Sequence, residues 1–471
     1  MELLQSGVDC AVEEAHHANF VVSIGTALKS DNPNARYAFN NSVSMNKGAG
    51  LYFHPVADPV VNGFGKSVMS INHAPMMEEA ALYLMLDLFG DKSTMPSEVT
   101  GYLASFHSLK TITVEETIKE KVVEKVMVKK VNEETGEEEE VEEEKTTMVP
   151  KKVSKEVEVD ENRLLEILNA PEGFGDFMDK NLAKKDAFTL IVGPDLYTHP
   201  SSKNLARLVA LVEKYTAFKL VMIPALTNTL GVSLICELDA LSGSYVIGYN
   251  AAGDFVLSGL GEGDLDMPAI NQQEGTLTSI NKRVNPTNMA IGYGGYVLND
   301  IANALGLAAE YTVKYTEQLP TAKGFKSAKF DDLPNHYTNA GEEVRGYLLE
   351  CQSVAMSGDE SVAAFDEAAA MGGEMVYLAN PVRQFTAFTA KTHQLNEEGG
   401  LYVSEALAAA KELSEGDDVR VSANGSDLNV KVVVNNKIDG MIACLPTFDA
   451  KINSEALFGG YRFASASIQK V

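Results

Sequence analysis

Thiolates and imidazoles are the usual protein ligands of zinc and iron–sulfur clusters, and this sequence spaces its cysteines too widely for either. The four cysteines are Cys10, Cys236, Cys351 and Cys444. No two of them have the short spacing of a metal-binding motif. We interpret each as a small buried residue, and we expect neither a metal site nor an iron–sulfur cluster on this chain.

The histidines do not predict a site either. Glu13, His16 and His17 can share one face of a helix, but the sequence places no third ligand near them, and a surface helix explains them. The other histidines that we considered stand alone in the sequence, with no motif to pair them: His54, His107, His199 and His393. No serine or cysteine lies in a recognisable nucleophile motif.

Glycine-rich loops that hold phosphates are the next candidates. A dinucleotide loop needs three glycines between a strand and a helix, so that backbone amides can approach the pyrophosphate. The runs after Gly25 and Gly193 lack the further glycines, and residues 292–295 lack a preceding strand. Residues 261–266 alternate three carboxylates but lack the length and closing glutamate of a calcium loop, so we interpret them as a flexible acidic loop. An independent NAD-binding enzyme is disfavoured.

The elements that would position such residues begin with an α/β pattern. Residues 20–25 and 51–53 are short apolar runs typical of buried parallel strands. Between them, Asp31 can cap a helix that ends near Gly48. A further apolar helix follows Pro75 and ends at Gly90.

The same pattern returns later in the chain. Residues 188–193 and 218–223 read as buried strands, and residues 201–215 between them read as a helix. Further short strands are expected at 245–249 and 255–257. Alternation of strands and helices at this spacing predicts doubly wound parallel sheets.

Residues 112–160 interrupt this pattern. Residues 137–144 contain seven glutamates and one valine, and valines recur on both sides of a turn signal at 132–136. Because β-branched residues favour strands, we predict a long, charged β-hairpin, with a charged helical arm or a disordered loop as alternatives. The segment is either a solvated insertion or a docking arm for a partner subunit.

The final hundred residues are rich in strand signals. Residues 419–422 and 428–434 flank the turn Asn424-Gly425, and residues 441–445 form another apolar run. This pattern predicts a compact β-barrel. We therefore expect four regions: a partial α/β region (1–111), the charged insertion (112–160), a second α/β region (161–370) and the barrel (371–471).

Charge restricts the partners. The chain of 471 residues has a formal net charge of −27, which repels nucleic-acid phosphates and anionic lipids, so we expect no nucleic-acid partner. No apolar run reaches the roughly 18 residues that span a bilayer, and the first residues lack a secretory signal. We expect a cytoplasmic protein without direct membrane insertion, which contacts a membrane only through other proteins.

Three groups of segments carry a family resemblance, and they lie at residues 32–38 with 46–55, at 268–276 with 283–284, and at 383–387 with 401–404 and 416–421. The first reads NPNARYA and NKGAGLYFHP, and the second contains PAINQQEGT. In this order they resemble the peripheral-arm component of bacterial respiratory NADH:quinone oxidoreductase (complex I) that belongs to the molybdopterin-oxidoreductase superfamily. The matches cover most of the chain outside the charged insertion.

The resemblance implies doubly wound parallel sheets of the molybdopterin-oxidoreductase type, followed by a C-terminal β-barrel of the molybdopterin-dinucleotide-binding type. It also implies a structural subunit of the peripheral arm, which scaffolds electron transfer without an active site, cofactor or metal of its own. Its partners would be other subunits of the respiratory complex. Its place would be the cytoplasmic face of the inner membrane, reached through those partners.

The departures from the family pattern define the alternatives. Ser279, Asn281 and Lys282 stand where the family usually has Asn, Glu and Gly, and the cysteine-rich N-terminal cluster region of the family is absent. One alternative is a molybdopterin-dependent oxidoreductase that retains its pterin. Its pocket candidates are Glu274, Gly275, Thr276, Arg283, Gln384 and Thr386. Another is an interaction module of a different redox assembly.

Overall fold

The computed structural model describes residues 12–28, 33–131, 138–224, 243–273, 361–379 and 399–447, shorter stretches between 226 and 348, and residues 449 and 451–471. The chain divides into two compact units. The larger contains Met1–Thr100 and Leu164–Val471, and the smaller contains Gly101–Arg163. Among the described residues, no helix combines the length and the apolar character needed to cross a membrane.

A parallel sheet forms the centre of the larger unit, and its five strands are β1 (Phe20–Ile24), β2 (Ala49–Phe53), β3 (Val68–Ile71), β6 (Phe188–Val192) and β7 (Phe218–Met222). They lie in the order β3-β2-β1-β6-β7. Every residue of β1 and β2 is buried, as expected for parallel strands with both faces covered. The strands predicted from the apolar runs are therefore confirmed.

The strands before and after the charged insertion share this one sheet. β1 pairs in parallel with β2 on one side and with β6 on the other, with Phe20 opposite both Ala49 and Phe188. The two α/β regions that we expected from the sequence thus contribute to a single sheet. Sequence spacing alone cannot distinguish an insertion from a domain boundary, because strand partners are chosen by packing and not by distance along the chain.

The helices of this part of the chain are α1 (Val12–His17), α2 (Pro33–Asn40), α3 (Pro59–Asn62), α4 (Glu78–Phe89), α5 (Ser97–Ala104), α6 (Arg163–Ile167), α7 (Phe174–Leu182) and α8 (Ser202–Tyr215). A π-helical turn, Asn41–Met45, continues α2 toward Gly48, as predicted. Helix α4 follows Pro75, packs against α8 and ends where Gly90 donates its amide to the Leu86 carbonyl. The expected cap Asp31 lies outside the described residues.

Three short strands pair in parallel to form a second sheet: β8 (Ile247–Tyr249), β9 (Phe255–Ser258) and β10 (Leu265–Asp266). Asp254 and Asp264 accept hydrogen bonds of 2.8 Å from the amides of Val246 and Val256. Our interpretation of residues 261–266 as a flexible acidic loop was therefore wrong in part. Two of those residues form a strand, and the Asp264 carboxylate binds a backbone amide.

A smaller antiparallel group follows. It contains β11 (Gly275–Thr278), β12 (Arg283–Thr287) and β15 (Tyr347–Leu348), with helix α9 (Leu298–Ala304) after β12 in sequence. A separate pair is formed by β13 (Asn335–Tyr337) and β14 (Glu343–Arg345).

The C-terminal part folds as a sheet of seven strands in the order β21-β16-β20-β17-β19-β18-β22. Its elements are β16 (Met375–Leu378), β17 (Leu401–Val403), α10 (Glu405–Ala410), β18 (Asp418–Ala423), β19 (Ser426–Val434), β20 (Ile442–Leu445), β21 (Phe463–Ser465) and β22 (Ser467–Lys470). Only Ala466 separates the two edge strands in sequence, so the sheet is nearly closed. The predicted β-rich region is thus confirmed.

The smaller unit consists mainly of the predicted hairpin. Strand β4 (His107–Val131) pairs antiparallel with β5 (Glu138–Asn162), from His107 opposite Asn162 to Val131 opposite Glu138. The hairpin prediction is confirmed, and the alternative of a helical arm is wrong. The paired strands extend beyond the range 112–160 that the valine pattern indicated. The turn signal itself lies outside the described residues.

Candidate functional site

The carboxyl edge of the central sheet is the place where a doubly wound fold is expected to bind a ligand. The strand order reverses between β1 and β6, and ligands bind in the crevice between the loops that follow such strands. Here the two loops touch. The Gly193 amide donates to the Ile24 carbonyl over 2.8 Å, and the Asp195 amide donates to the Gly25 carbonyl over 3.0 Å. A Cβ on Gly193 would lie 2.1 Å from the Gly25 oxygen, so no phosphate group fits between the loops.

Side chains fill the rest of this edge, and we call the following eight the buried polar cluster: His54, His73, Glu78, Asp195, His199, Tyr377, Tyr461 and Arg462. All are buried except Arg462, whose side chain is 15% exposed. They come from the loops after β2, β3 and β6, from the start of α4, and from the C-terminal sheet. The cluster therefore joins the central sheet to the C-terminal sheet.

Asp195 is the centre of one half of the cluster. Arg462 donates from Nη1 to its Oδ1 over 2.7 Å, while His54 and Tyr377 approach its Oδ2 at 3.0 and 3.1 Å. The Arg462 Nε also donates to the Leu378 carbonyl over 2.7 Å. The guanidinium lies over the Tyr377 ring, 4.8 Å from its centroid, and Phe463 stacks on that ring at 4.4 Å. The carboxylate thus accepts hydrogen bonds from three side chains.

Glu78 is the centre of the other half. Its Oε1 accepts a short hydrogen bond from the Tyr461 hydroxyl, and its Oε2 lies 3.3 Å from Nε2 of His199 without good hydrogen-bond alignment. His73 lies beside this pair, with Nδ1 at 2.8 Å from the Ala74 carbonyl and Nε2 buried without a hydrogen-bond partner. This half is therefore less fully hydrogen-bonded than the Asp195 half.

Neighbouring side chains determine whether the buried carboxyl groups of Asp195 and Glu78 are ionised. Burial alone would raise the pKa of Asp195, but the Arg462 charge and the hydrogen bonds from His54 and Tyr377 outweigh it, so this pKa lies below its usual range. Burial would likewise raise the pKa of Glu78, but His199, His73 and Tyr461 together lower it. Burial and the nearby Glu78 carboxylate raise the pKa of the Tyr461 hydroxyl. Both carboxyls are therefore ionised, and Tyr461 is neutral.

Two histidine–carboxylate pairs resemble parts of a catalytic triad, but both imidazoles are buried, and each points its Nε2 at its carboxylate. His54 points Nε2 at Asp195, and its Nδ1 accepts the Val56 amide over 3.0 Å. His199 points Nε2 at Glu78, and its Nδ1 accepts the Ser201 amide over 2.9 Å. A general base needs a free nitrogen within reach of the proton it removes. Both ring nitrogens of His54 have partners, while Nε2 of His199 is buried against Glu78 without a hydrogen bond.

Metal binding is not indicated by the part of the chain that the structure describes, since no group of three or more histidine, cysteine or acidic side chains there is arranged to hold an ion. Cys444 is buried in β20. The other three cysteines lie outside the described residues.

Acid should destabilise this protein in two stages. Burial lowers the pKa of His73, so the unfolded chain binds a proton more readily than the folded chain below pH about 6.5. As the pH is lowered below this value, the free energy of unfolding decreases by up to about 1.4 kcal/mol per pH unit because of this one group. The depressed pKa values of Asp195 and Glu78 add a second loss below the usual carboxyl range of about 4.

Urea unfolding between pH 7.5 and 5.5 checks the first stage. We expect His73→Gln to flatten the pH dependence in that interval, because it removes the group that takes up the proton. His17→Gln is the matched control, since His17 is exposed, and it should keep the wild-type slope. Equal slopes for the wild type and His73→Gln would show that His73 is not responsible.

The pocket candidates from the sequence lie elsewhere. Gly275 and Thr276 begin β11, and Arg283 begins β12, the antiparallel partner of β11. Because Gly275 pairs with Thr287 and Thr278 pairs with Val284, Gly275 and Arg283 lie at opposite ends of this hairpin. Glu274, Gln384 and Thr386 lie outside the described residues. The pocket they would form stays a prediction.

From the sequence we interpreted His54 and His199 as residues without a partner. That interpretation was wrong, because the structure pairs each with a buried carboxylate. One signal could have found His54. His54, His73 and Asp195 each follow an apolar strand by one to three residues, and the carboxyl ends of parallel strands meet at one edge. Tyr377 and Arg462 could not have been found in this way, since they come from another sheet.

No protein-family model matches the chain, and no curated protein matches it.

Proposed function

We propose that this chain is a structural subunit of the peripheral arm of a respiratory NADH:quinone oxidoreductase, where it holds neighbouring iron–sulfur subunits at electron-transfer distance without an active site of its own. The reason for proposing this particular complex is that three segments of the chain resemble its molybdopterin-oxidoreductase-type component. The mixed α/β fold with its nearly closed C-terminal sheet is compatible with the molybdopterin-oxidoreductase type. A fold alone does not determine an activity, so the support for a role without catalysis comes from the carboxyl edge of the central sheet.

The observation that carries the proposal is that the chain fills its own ligand crevice. Arg462 from the C-terminal sheet binds Asp195 at 2.7 Å at the point where a doubly wound fold would place a cofactor. Gly25 and Gly193 close the backbone gap beside it. A phosphate would need free amides or cations there, and the amides of Gly193 and Asp195 and the Arg462 guanidinium are already bound to other groups in the protein.

A pterin dinucleotide therefore does not fit the residues at this edge. The alternative of a molybdopterin-dependent oxidoreductase would need either a different pocket or an opened Asp195–Arg462 pair. An interaction module of a different redox assembly would share the filled crevice, so it differs from our proposal only in its partners.

Purification of the tagged full chain from its native host, under mild solubilisation, tests the proposal. We expect the peripheral-arm subunits of NADH:quinone oxidoreductase to co-purify in equal amounts with the chain, while an untagged strain gives none of them. Deletion of the gene should abolish NADH-dependent quinone reduction by membranes from that host. A different set of redox proteins on the tagged chain, with normal NADH oxidation after the deletion, would contradict the proposal.

A further inference from the structure

The β4–β5 hairpin has two chemically different faces. Directly paired residues of antiparallel strands point to the same side, and neighbours along a strand alternate. The register therefore places even-numbered residues of β4 and odd-numbered residues of β5 on one side. Six valines of the described side chains lie there, and we call them the valine face: Val122, Val126, Val128, Val149, Val157 and Val159. The same side also carries an ion pair between Lys110 and Glu161, with Nζ and Oε1 3.2 Å apart. The other side carries charged pairs such as Lys125 and Glu142, whose Nζ and Oε2 atoms are 3.3 Å apart, and fewer apolar residues with described side chains, namely Leu109, Val123, Met127 and Met148.

This valine face is exposed in the isolated chain. Val126, Val149 and Val159 expose 37, 42 and 40% of their surface, although valine is among the residues most often buried in folded proteins. A ribbon of two strands is only marginally stable in water unless a further strand or helix covers its apolar side. Because each strand of this hairpin has 25 residues, we expect a further strand or helix to cover the valine face.

The size of the face fits a stable interface. At about 3.4 Å per residue and about 4.8 Å between strands, two strands of this length present a surface roughly 85 Å long and 10 Å wide. That is on the order of 800 Å², the area that each partner buries in a standard protein interface. The hairpin alone is thus large enough to bind a partner.

Charge selects the kind of partner. Residues 107–162 contain ten lysines and seventeen acidic residues, and residues 133–144 contain nine glutamates and no lysine. A second copy of the chain would carry the same acidic excess and would be repelled. A surface with lysine or arginine beside an apolar strip would be attracted instead, because its charges are complementary.

We propose that the valine face is the docking surface for a partner protein that presents an apolar strip flanked by lysine and arginine side chains. The apolar strip covers the valines, and the basic side chains meet acidic side chains on the same side of the hairpin, such as Glu124. This inference does not depend on which assembly contains the chain. If the partner is a subunit of NADH:quinone oxidoreductase, the hairpin is the part of this chain that holds it.

Two triple variants of the full chain separate the two faces. Val122→Thr, Val126→Thr and Val149→Thr remove apolar surface from the valine face, and threonine keeps a high strand propensity. The control, Val123→Thr, Met127→Thr and Met148→Thr, changes three exposed apolar residues of the charged face in the same stretch of the hairpin. Each tagged chain is purified from the native host after treatment with a carbodiimide, which joins carboxylates to lysine amines.

We expect cross-links from hairpin glutamates to lysines of one partner protein in the wild type and in the control. The valine-face variant should retain about tenfold less of that partner, as expected when several central interface residues are lost. Limited proteolysis of each purified chain shows whether the hairpin itself has stayed folded. A further variant, Glu124→Gln, changes an acidic residue on the side of the valine face, leaves the valines intact and should make binding less sensitive to salt.

Equal retention of the partner by both triple variants would overturn the docking surface, as would cross-links that join only copies of this chain. These outcomes are separate from those for the proposed function. A face-specific loss of a partner from a different assembly would support the docking surface and contradict the respiratory role. Complete assembly of NADH:quinone oxidoreductase with the valine-face variant would support the respiratory role and contradict the docking surface.

Discussion

Replacing Arg462 with methionine is expected to lower the free energy of unfolding by about 3–5 kcal/mol, because it leaves a buried carboxylate without its cation. Asp195 is 1% exposed, and among the described residues Arg462 supplies the guanidinium that donates a hydrogen bond to it. His54 and Tyr377 would then have to support the carboxylate alone. Urea unfolding of the purified chain at pH 7 measures the change.

Two controls show whether the loss comes from burial of a charge. Lys431→Met removes an exposed ion pair with Asp418 and should cost no more than about 1 kcal/mol. The double change Asp195→Leu with Arg462→Met replaces the pair by apolar side chains and should recover much of the lost stability. If Arg462→Met costs no more than Lys431→Met, the buried polar cluster does not hold the two sheets together.

The same double variant also separates structure from chemistry. In a host strain that lacks the gene, it should restore NADH-dependent quinone reduction to the level given by the wild-type chain, provided that it folds. A stable double variant that assembles into the complex but restores no activity would assign the cluster a chemical role. That result would contradict a purely structural function of the cluster.

Gly193→Ala is expected to have the second largest effect, a loss of about 1–3 kcal/mol or more from overpacking. The added methyl group would lie 2.1 Å from the Gly25 carbonyl oxygen and 2.4 Å from Cβ of Thr26, so the two loops must separate. The φ of Gly193 is −89°, which alanine adopts easily, so any loss is due to contact and not to backbone strain. Thermal and urea unfolding both measure it.

Gly175→Ala is the matched control for this prediction. Gly175 lies in α7, and an added Cβ there meets nothing within 4 Å. Alanine at a compatible helical position should raise stability by about 0.4–1 kcal/mol, mainly by restricting the unfolded chain. Opposite signs for the two glycines are therefore expected. A neutral Gly193→Ala variant would mean that the two loops leave room for a methyl group and that the crevice is not closed at this point.

The sequence was sufficient to predict local elements with strong patterns. The apolar run at 188–193 became β6, and the β-branched residues around 112–160 became a hairpin rather than a helix. Both depend on short-range chemistry, namely apolar runs in strands buried on both faces and β-branched residues in strands.

The sequence could not reveal which distant elements meet. Asp195 contacts His54 across 141 positions of sequence and Arg462 across 267. Such contacts are chosen by the packing of whole elements, and no local spacing rule encodes them. For the same reason the strands on the two sides of the hairpin were assigned to separate regions, although β1 pairs with β6 in one sheet.

A buried ion pair is a weak source of net stability, because desolvation offsets much of its attraction. Its value here lies in specificity. Asp195 has one arrangement that satisfies it, with Arg462, Tyr377 and His54 all in place, and this arrangement fixes how the C-terminal sheet packs on the central sheet. A subunit that must hold other proteins at fixed distances benefits from a single such arrangement.

The most direct test of the central claim is the molybdenum, tungsten and pterin content of the full chain purified from its native host. A crevice closed by the Asp195–Arg462 pair and by the Gly25–Gly193 contact predicts far less than one metal and one pterin per folded chain. Metal and pterin approaching one per chain would contradict the claim, because the chain would then hold a working cofactor and act as an enzyme.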